Sequence, residues 1–217
     1  MTVIAVDGPA ASGKGTLARR IASFLSFSYL DTGLLYRAIG WSVIQIGGDP
    51  SDESCVLRCA EKINLDEALF QNPHLRGEDV AIAASKAAAI SNVRTFLLEY
   101  QRVFAYNPPK PYIGAVLDGR DVGTVVCPEA DAKIFITARL DVRAKRRWLE
   151  LCNQDPKVSF LRVLDEMKSR DERDSHRGVA PLIAAKDAYF LDATDYDIET
   201  TYKMSLDFLQ SKGIFKK

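Results

Sequence analysis

The chain has little of what zinc, membrane and nucleic-acid proteins are built from. Its four cysteines, Cys55, Cys59, Cys127 and Cys152, form no Cys-x-x-Cys pair, and His74 and His176 are its only histidines. A zinc site therefore lacks ligands at usable spacing. Neither sign of charge prevails, since 29 Lys+Arg stand against 29 Asp+Glu, which argues against a polyanionic partner such as bulk nucleic acid. No apolar run is long enough to span a bilayer. Core-strand residues from Thr2 onward leave no room for a signal peptide, so the expected setting is a reducing cytoplasm, without membrane or nucleic-acid partners and as a monomer. There are no internal repeats or low-complexity linkers. No asparagine opens an Asn-Lys-x-Asp motif, which a nucleotide-operated GTPase switch needs to read its base.

What is present is enough for one large core. At 217 residues and 47% hydrophobic content, a single α/β domain with insertions is the natural expectation. The organising stretch is Gly8-Pro9-Ala10-Ala11-Ser12-Gly13-Lys14-Gly15-Thr16, between the apolar run Val3 to Val6 and a helical stretch from Leu17 to Leu25. Strand, glycine loop and helix in that order form a phosphate cradle: backbone N–H groups converge at a helix N-terminus, and glycines let the chain turn around the oxygens. The Gly8 to Gly13-Lys14 spacing is that of a Walker A loop, with Lys14 placed to reach the β- and γ-phosphates. Gly15 fills the place where a Mg²⁺-binding hydroxyl often stands, and the hydroxyl comes one residue later at Thr16.

Further strands are expected at Phe27–Leu30, Ile113–Leu117, Ala132–Thr137 and Tyr189–Leu191, alternating with helices. That alternation implies a parallel five-stranded sheet covered by helices on both faces. Arg37, early in a helix after Asp31-Thr32-Gly33, is at the end where the helix dipole disfavours a cation, which a ligand anion would explain. Between Ile63 and Val80 the mixed pattern, with a turn at Gln71-Asn72-Pro73, suggests a small β-rich insertion. Arg94 and Gln101 share one side of a helix from Val93 to Phe104. Asp118 to Thr124 leaves the end of a core strand, where open α/β sheets bind ligands.

Arg139, Arg143, Lys145, Arg146 and Arg147 make the helix from Leu140 to Leu151 basic, and a loop at 152–156 joins it to the next. The pair is readable either as a mobile cap over a triphosphate or as an exposed basic face. In the next helix the face of Phe160, Val163 and Met167 continues into Arg170, Asp174 and Arg177. Ions there need partners or a wet cavity, because burying them alone costs several kcal/mol or more each.

Several of these stretches together resemble the bacterial cytidylate kinases, within the nucleoside monophosphate kinases. They are the loop, Asp31-Thr32-Gly33 with Tyr36-Arg37, Ala84-Ser85, Val93-Arg94, Asp118-Gly119-Arg120-Asp121-Val122-Gly123-Thr124-Val125-Val126, and Arg170-Asp171-Glu172-Arg173-Asp174 with Arg177. The resemblance implies a P-loop kinase domain over residues 1–217, with a monophosphate-binding insertion at about 47–83 and a lid at about 147–160. It implies transfer of the γ-phosphoryl group of ATP to CMP or dCMP with Mg²⁺, whose ligands are left unassigned. Lys14, Arg120 and Arg177 are expected to be catalytic. ATP is expected at Gly8 to Thr16 with Arg146 and Arg147. By similarity, Ser85, Arg94 and Asp121 would read the cytosine edge, Arg37, Arg120 and Arg177 would hold the acceptor phosphate, and Arg170 and Asp174 would contact the sugar. Thr32, Tyr36 and Gln101 complete the expected CMP site. A kinase for another small acceptor, such as dephospho-coenzyme A or shikimate, is the nearest rival.

Overall fold

A computed structural model describes residues 1–65, 67–153 and 155–216. Gln154, part of the loop expected at 152–156, and Asp66, in the expected insertion, lie outside the described residues. Five strands form one sheet: β1 (Thr2–Asp7), β2 (Ser28–Asp31), β3 (Gly114–Gly119), β4 (Ala132–Thr137) and β5 (Tyr189–Asp192). Their order is β2-β3-β1-β4-β5 and every pairing is parallel. Ile4 lies opposite Val116 on one side and Ala132 on the other, so β1 is central and its end, where the glycine loop begins, is flanked by the ends of β3 and β4.

Alternation along β1 sorts its side chains between two cores. Val3 and Ala5 pack with Leu117 against α2 (Thr32–Gln45), α3 (Glu53–Lys62), α5 (Glu78–Ala87) and α6 (Ser91–Tyr106), through residues such as Leu35, Val56, Ala84 and Leu97. Ile4 and Val6 pack with Val116, Ile134 and Ile136 against α1 (Lys14–Leu25) and α9 (Ile198–Ser211), through Leu17, Ile21 and Leu209. Both faces are covered, which is why the strand interiors read as near-continuous apolar runs. A third, smaller cluster joins Ala144 and Leu151 of α7 (Leu140–Cys152) to Val163 and Met167 of α8 (Phe160–His176), and Ala10 and Ala11 of the glycine loop pack against it.

The expected β-rich insertion is not found: among the described residues between 47 and 83 there is no strand. The segment holds α3, the single-turn helix α4 (Glu67–Phe70) and a 3₁₀ turn at Pro73–Arg76. Asn72 caps that turn by accepting the His74 N–H at 3.0 Å, with Pro73 at its first position. The Asn-Pro pair read as a turn in a β-rich insertion is thus a helical start, because proline preset for the first helical position serves either. Leu75 anchors the turn by full burial. The alanines of α5 lie against α2, with Ala84 and Ala87 inside the core.

Candidate active site

The glycine loop is shaped by left-handed backbone at Ala11 (φ 55°) and Gly13 (φ 93°), and α1 starts directly after it. No side chain caps α1 and no acid stands in its first turn, so its leading N–H groups and dipole are left for an anion. Gly8 sits against β4: a Cβ there would lie 2.0 Å from the Ile136 carbonyl oxygen.

Two neighbouring cavities open at the carboxyl ends of the strands. The larger, about 290 Å³, is near the lower limit for a ligand pocket. Its floor is Ala10, Ala11, Gly13, Lys14, Gly15 and Thr16, and Arg37, Arg120, Arg147 and Arg170 face it from other elements. The smaller, about 50 Å³, is walled by Thr32, Tyr36, Ser85, Arg94, Asp121, Asp174 and Arg177. It shares Gly33, Gly119, Arg120 and Arg170 with the larger.

Ion pairs hold the smaller cavity together. Arg94 pairs with Asp121, which also lies 3.5 Å from the Arg177 guanidinium, and Arg120 donates to Asp174 at 2.9 Å. Arg170 stands 4.0 Å from the same Asp174. Burial works against the Asp174 charge, but Arg120 and Arg170 hold its carboxyl below the usual carboxylate value. The polar end of the α8 face is therefore met by partners from the turn after β3, Arg120 and Asp121. Arg177 itself is the first residue past α8, in extended backbone, with its Nε donating to the Ala180 carbonyl at 2.5 Å. It reaches the cavity as a cap residue and not through the helical register assumed from sequence.

Around Lys14 the electrostatics run the other way. Burial, and then the Arg120 charge, pull its ammonium down to about 8, with Asp118 and Asp31 opposing. Burial also pulls Arg170 and Arg37 below the ordinary arginine value. Guanidinium remains charged in proteins, so these arginines are buried cations whose charge an added anion in the cleft would offset.

Not every expected residue reaches a cavity wall. Gly8, Pro9 and Ser12 lie behind the loop surface, and the Ser12 hydroxyl is buried without a hydrogen-bond partner. Arg146 turns away from the cleft and donates to the Ala193 carbonyl at 3.0 Å, whereas Arg147, one residue on, lines it. Gln101 is buried two turns along α6 from Arg94, donating to Leu97 O at 3.0 Å and standing beside Tyr36.

Sequence reasoning gave no role to three carboxylates that the fold brings to this place. Asp7, at the end of β1, accepts the N–H groups of Val122 and Gly123 at 2.8 and 2.7 Å and so fixes the turn that carries Asp121. Burial outweighs those two bonds and lifts its carboxyl to about 6. Asp118 and Asp31 both line the larger cavity, and Asp118 accepts from the Tyr29 hydroxyl at 2.7 Å. Burial, then the nearby Asp31 charge, push Asp118 up to about 7. All three are strand-terminal acids, and that position at the ligand-binding edge was the available signal. Among the described residues no group of three or more His, Cys, Asp or Glu is arranged to hold a metal.

A family model described as cytidylate kinase matches residues 4–210. A cytidylate kinase of Paramagnetospirillum magneticum is 49% identical over 97% of this chain and 99% of its own length. That of Rhodospirillum rubrum is 51% identical over 97% of this chain and 98% of its own. Among solved structures, an uncharacterized protein from Eubacterium ventriosum aligns over 97% of this chain and 99% of its own with a TM-score of 0.51 and 15% identity, a likeness of fold alone.

Proposed function

Since the chain belongs to the cytidylate kinase family and is a nucleoside monophosphate kinase, we propose that the two cavities are the donor and acceptor sites for phosphoryl transfer from ATP to CMP or dCMP. The observation that carries this reading is the shared wall: Arg120 and Arg170 face both cavities at once, where a group passing from one to the other would cross. Lys14 and the loop N–H groups hold the ATP phosphates. Arg37, Arg120 and Arg177 hold the acceptor phosphate, Arg170 and Asp174 the sugar, and Ser85, Arg94 and Asp121 the base. Thr32 and Tyr36 shape the acceptor wall. Gln101 acts from behind Tyr36.

An acceptor phosphate is already nucleophilic at neutral pH and needs no general base. Both histidines are exposed and neither lines a cavity. The work left to the protein is to align two anions and to stabilise the charge of the transferred group, which falls to Lys14, Arg120 and Arg177.

The residues present also fit Mg²⁺. Asp118 Oδ2 would lie 3.5 Å from a Cβ on Gly15, beside the loop, and Asp31 stands near enough to repel the Asp118 charge, a repulsion that a cation between them would relieve. Thr16, Asp118 and Asp31 supply the hard oxygen donors that such an ion shares with water and phosphate. When bound, Mg²⁺ supplies charge neutralisation on the transferred phosphoryl group. The insertion at 47–83 and the lid at 147–160 are the parts proposed to close over the substrates and exclude water, within a single P-loop kinase domain. No helix among the described residues is long and apolar enough to cross a membrane. A cytoplasmic monomer acting on free nucleotides, without nucleic acid, completes the reading.

The test is direct. The protein is incubated with Mg²⁺, ATP and in turn CMP, dCMP, UMP and AMP, and diphosphates are resolved by ion-exchange chromatography. CDP and dCDP are the expected products; preferential phosphorylation of AMP, or ATP hydrolysis alone, would defeat the assignment.

A further inference from the structure

Arg143 carries no role in the reading above, yet it is one of the few buried arginines, 5% exposed on α7. Each arm of its guanidinium is used. Nε donates to the Ala138 carbonyl past the end of β4 at 2.7 Å, Nη1 to the Ala10 carbonyl in the glycine loop at 3.2 Å, and Nη2 to Asp171 Oδ2 on α8 at 2.6 Å. A loop that points its N–H groups at an anion turns carbonyls the opposite way, and Arg143 receives that of Ala10. The left-handed Ala11 follows at once, so the bonded carbonyl adjoins a left-handed turn of the cradle.

Asp171 is the second half of the connection. Its Oδ1 is buried and has no hydrogen-bond partner, so Arg143 is what holds this carboxylate in place. Asp171 follows Arg170 and precedes Asp174 by three residues on α8. Asp171 stands about 100° around α8 from Arg170 and about 60° from Asp174, so adjoining side chains on one stretch of α8 meet Arg143 through Asp171 and line the acceptor cavity through Arg170 and Asp174. Ala10 and Ala11 also pack on the apolar cluster between α7 and α8. A displacement of the loop therefore has a continuous path, polar and apolar, to the residues that face the acceptor.

We propose that Arg143 and Asp171 are positioning residues that couple the two substrate sites: seating phosphates in the glycine loop sets, through this pair, the placement of Arg170 and Asp174, and so tightens acceptor binding. The inference rests on the donor and acceptor assignment of the two cavities. A lysine could not replace Arg143, because its single ammonium lacks the planar fork that reaches three acceptors at once. By linkage the coupling is reciprocal, so CMP tightens donor binding by the same factor.

Calorimetry of CMP binding, with and without a non-hydrolysable ATP analogue and Mg²⁺, reads the coupling directly. In the wild-type protein the analogue should tighten CMP about tenfold, within the usual range of site–site coupling. Asp171→Asn and Arg143→Lys should bring the factor below about threefold, while CMP affinity without the analogue stays within about twofold of wild type. A purely structural role would lower the melting temperature and leave the factor alone. Should Arg143→Lys fail to fold, Asp171→Asn, which keeps the shape of the carboxylate, carries the test. A wild-type factor near one, or folded variants with the wild-type factor, overturns the proposal. A wild-type protein that binds the analogue but no CMP overturns the acceptor assignment itself.

Discussion

Replacing Asp121 by Asn separates the ion pairs this residue makes in the structure from the base reading proposed for it. As an ion, it sits between Arg94 and Arg177, all three side chains less than a tenth exposed. Removing one partner of a buried pair costs about 3–5 kcal/mol. Asn keeps the shape and one acceptor, which favours the lower figure of about 3 kcal/mol. For a chain of this size that corresponds to a melting temperature lower by about 6–12 °C. As a base reader, the carboxylate only accepts hydrogen bonds, which suits the N4 amino group of cytosine and repels the O4 of uracil. Full loss of a hydrogen bond to a charged group is worth about 1.5–3 kcal/mol, so kcat/KM for CMP should fall by up to roughly 10- to 150-fold, least if the Asn oxygen still accepts from N4. The Asn amino group can donate to uracil O4, so UMP should lose less or gain. The assay is steady-state kcat/KM for both nucleotides, at a temperature where melting curves show wild type and variant folded. The CMP/UMP ratio should drop by up to one to two orders of magnitude on these figures, with Ser85→Ala shifting it in the same direction more weakly. A lowered melting temperature with an unchanged ratio would refute the reasoning and leave Asp121 as a structural ion alone.

Lys14→Met should lower turnover by orders of magnitude with the fold intact if Lys14 acts, as proposed, on charge that develops in the transfer; near-normal turnover would remove it from the mechanism. In the wild-type protein, affinity for the ATP analogue should weaken as pH rises through about 8, where burial and Arg120 place the Lys14 titration, and the Met variant should lack that step. Asp7 gives a stability prediction of definite sign. Its carboxyl is lifted from 3.8 to about 6, so the folded state binds this proton more tightly than the unfolded one. The favourable contribution is fully present below pH 4 and is lost as pH rises through about 6, a change of about 3 kcal/mol. Urea titrations of wild type and Asp7→Asn at several pH values should show their difference moving in favour of the variant across that window, and a difference independent of pH would contradict the burial argument.

The sheet and its loop were legible because they depend on short-range pattern: buried parallel strands must be apolar, and a phosphate cradle must carry glycines at fixed spacing. The strand boundaries move by a residue or two, β2 running from Ser28 to Asp31 and β3 from Gly114 to Gly119, as hydrogen bonding and not hydrophobicity sets where a strand ends. The expected site residues mostly converge on two adjoining cavities, since strand ends and helix starts bring them there. What sequence could not show is direction and partnership. Arg146 and Arg147 are neighbours, yet a rotation of about 100° sends one to the Ala193 carbonyl and the other to the cleft. The shared helical side of Arg94 and Gln101 survives in α6, but two turns of rise carry Gln101 behind Tyr36. The strand-end position of Asp7 marked it as near the site, but its partners Val122 and Gly123, like the Asp171 partner of Arg143, are brought near only by the closed fold. The insertion misled because proline after asparagine starts a hairpin turn and a helical turn equally well.

The acceptor wall also has an arithmetic of its own. Four guanidiniums, of Arg94, Arg120, Arg170 and Arg177, face it with two carboxylates, of Asp121 and Asp174, so two positive charges are left over. A phosphate monoester carries nearly two negative charges at neutral pH, which brings the wall to electroneutrality. A nucleoside without its phosphate leaves the surplus standing, and a cyclic or singly ionised phosphate cancels only half of it. The diphosphate product carries about one further negative charge, more than the surplus on this wall alone, and the cations of the adjoining cavity, Lys14 and Arg37, are the nearest ones left to meet it.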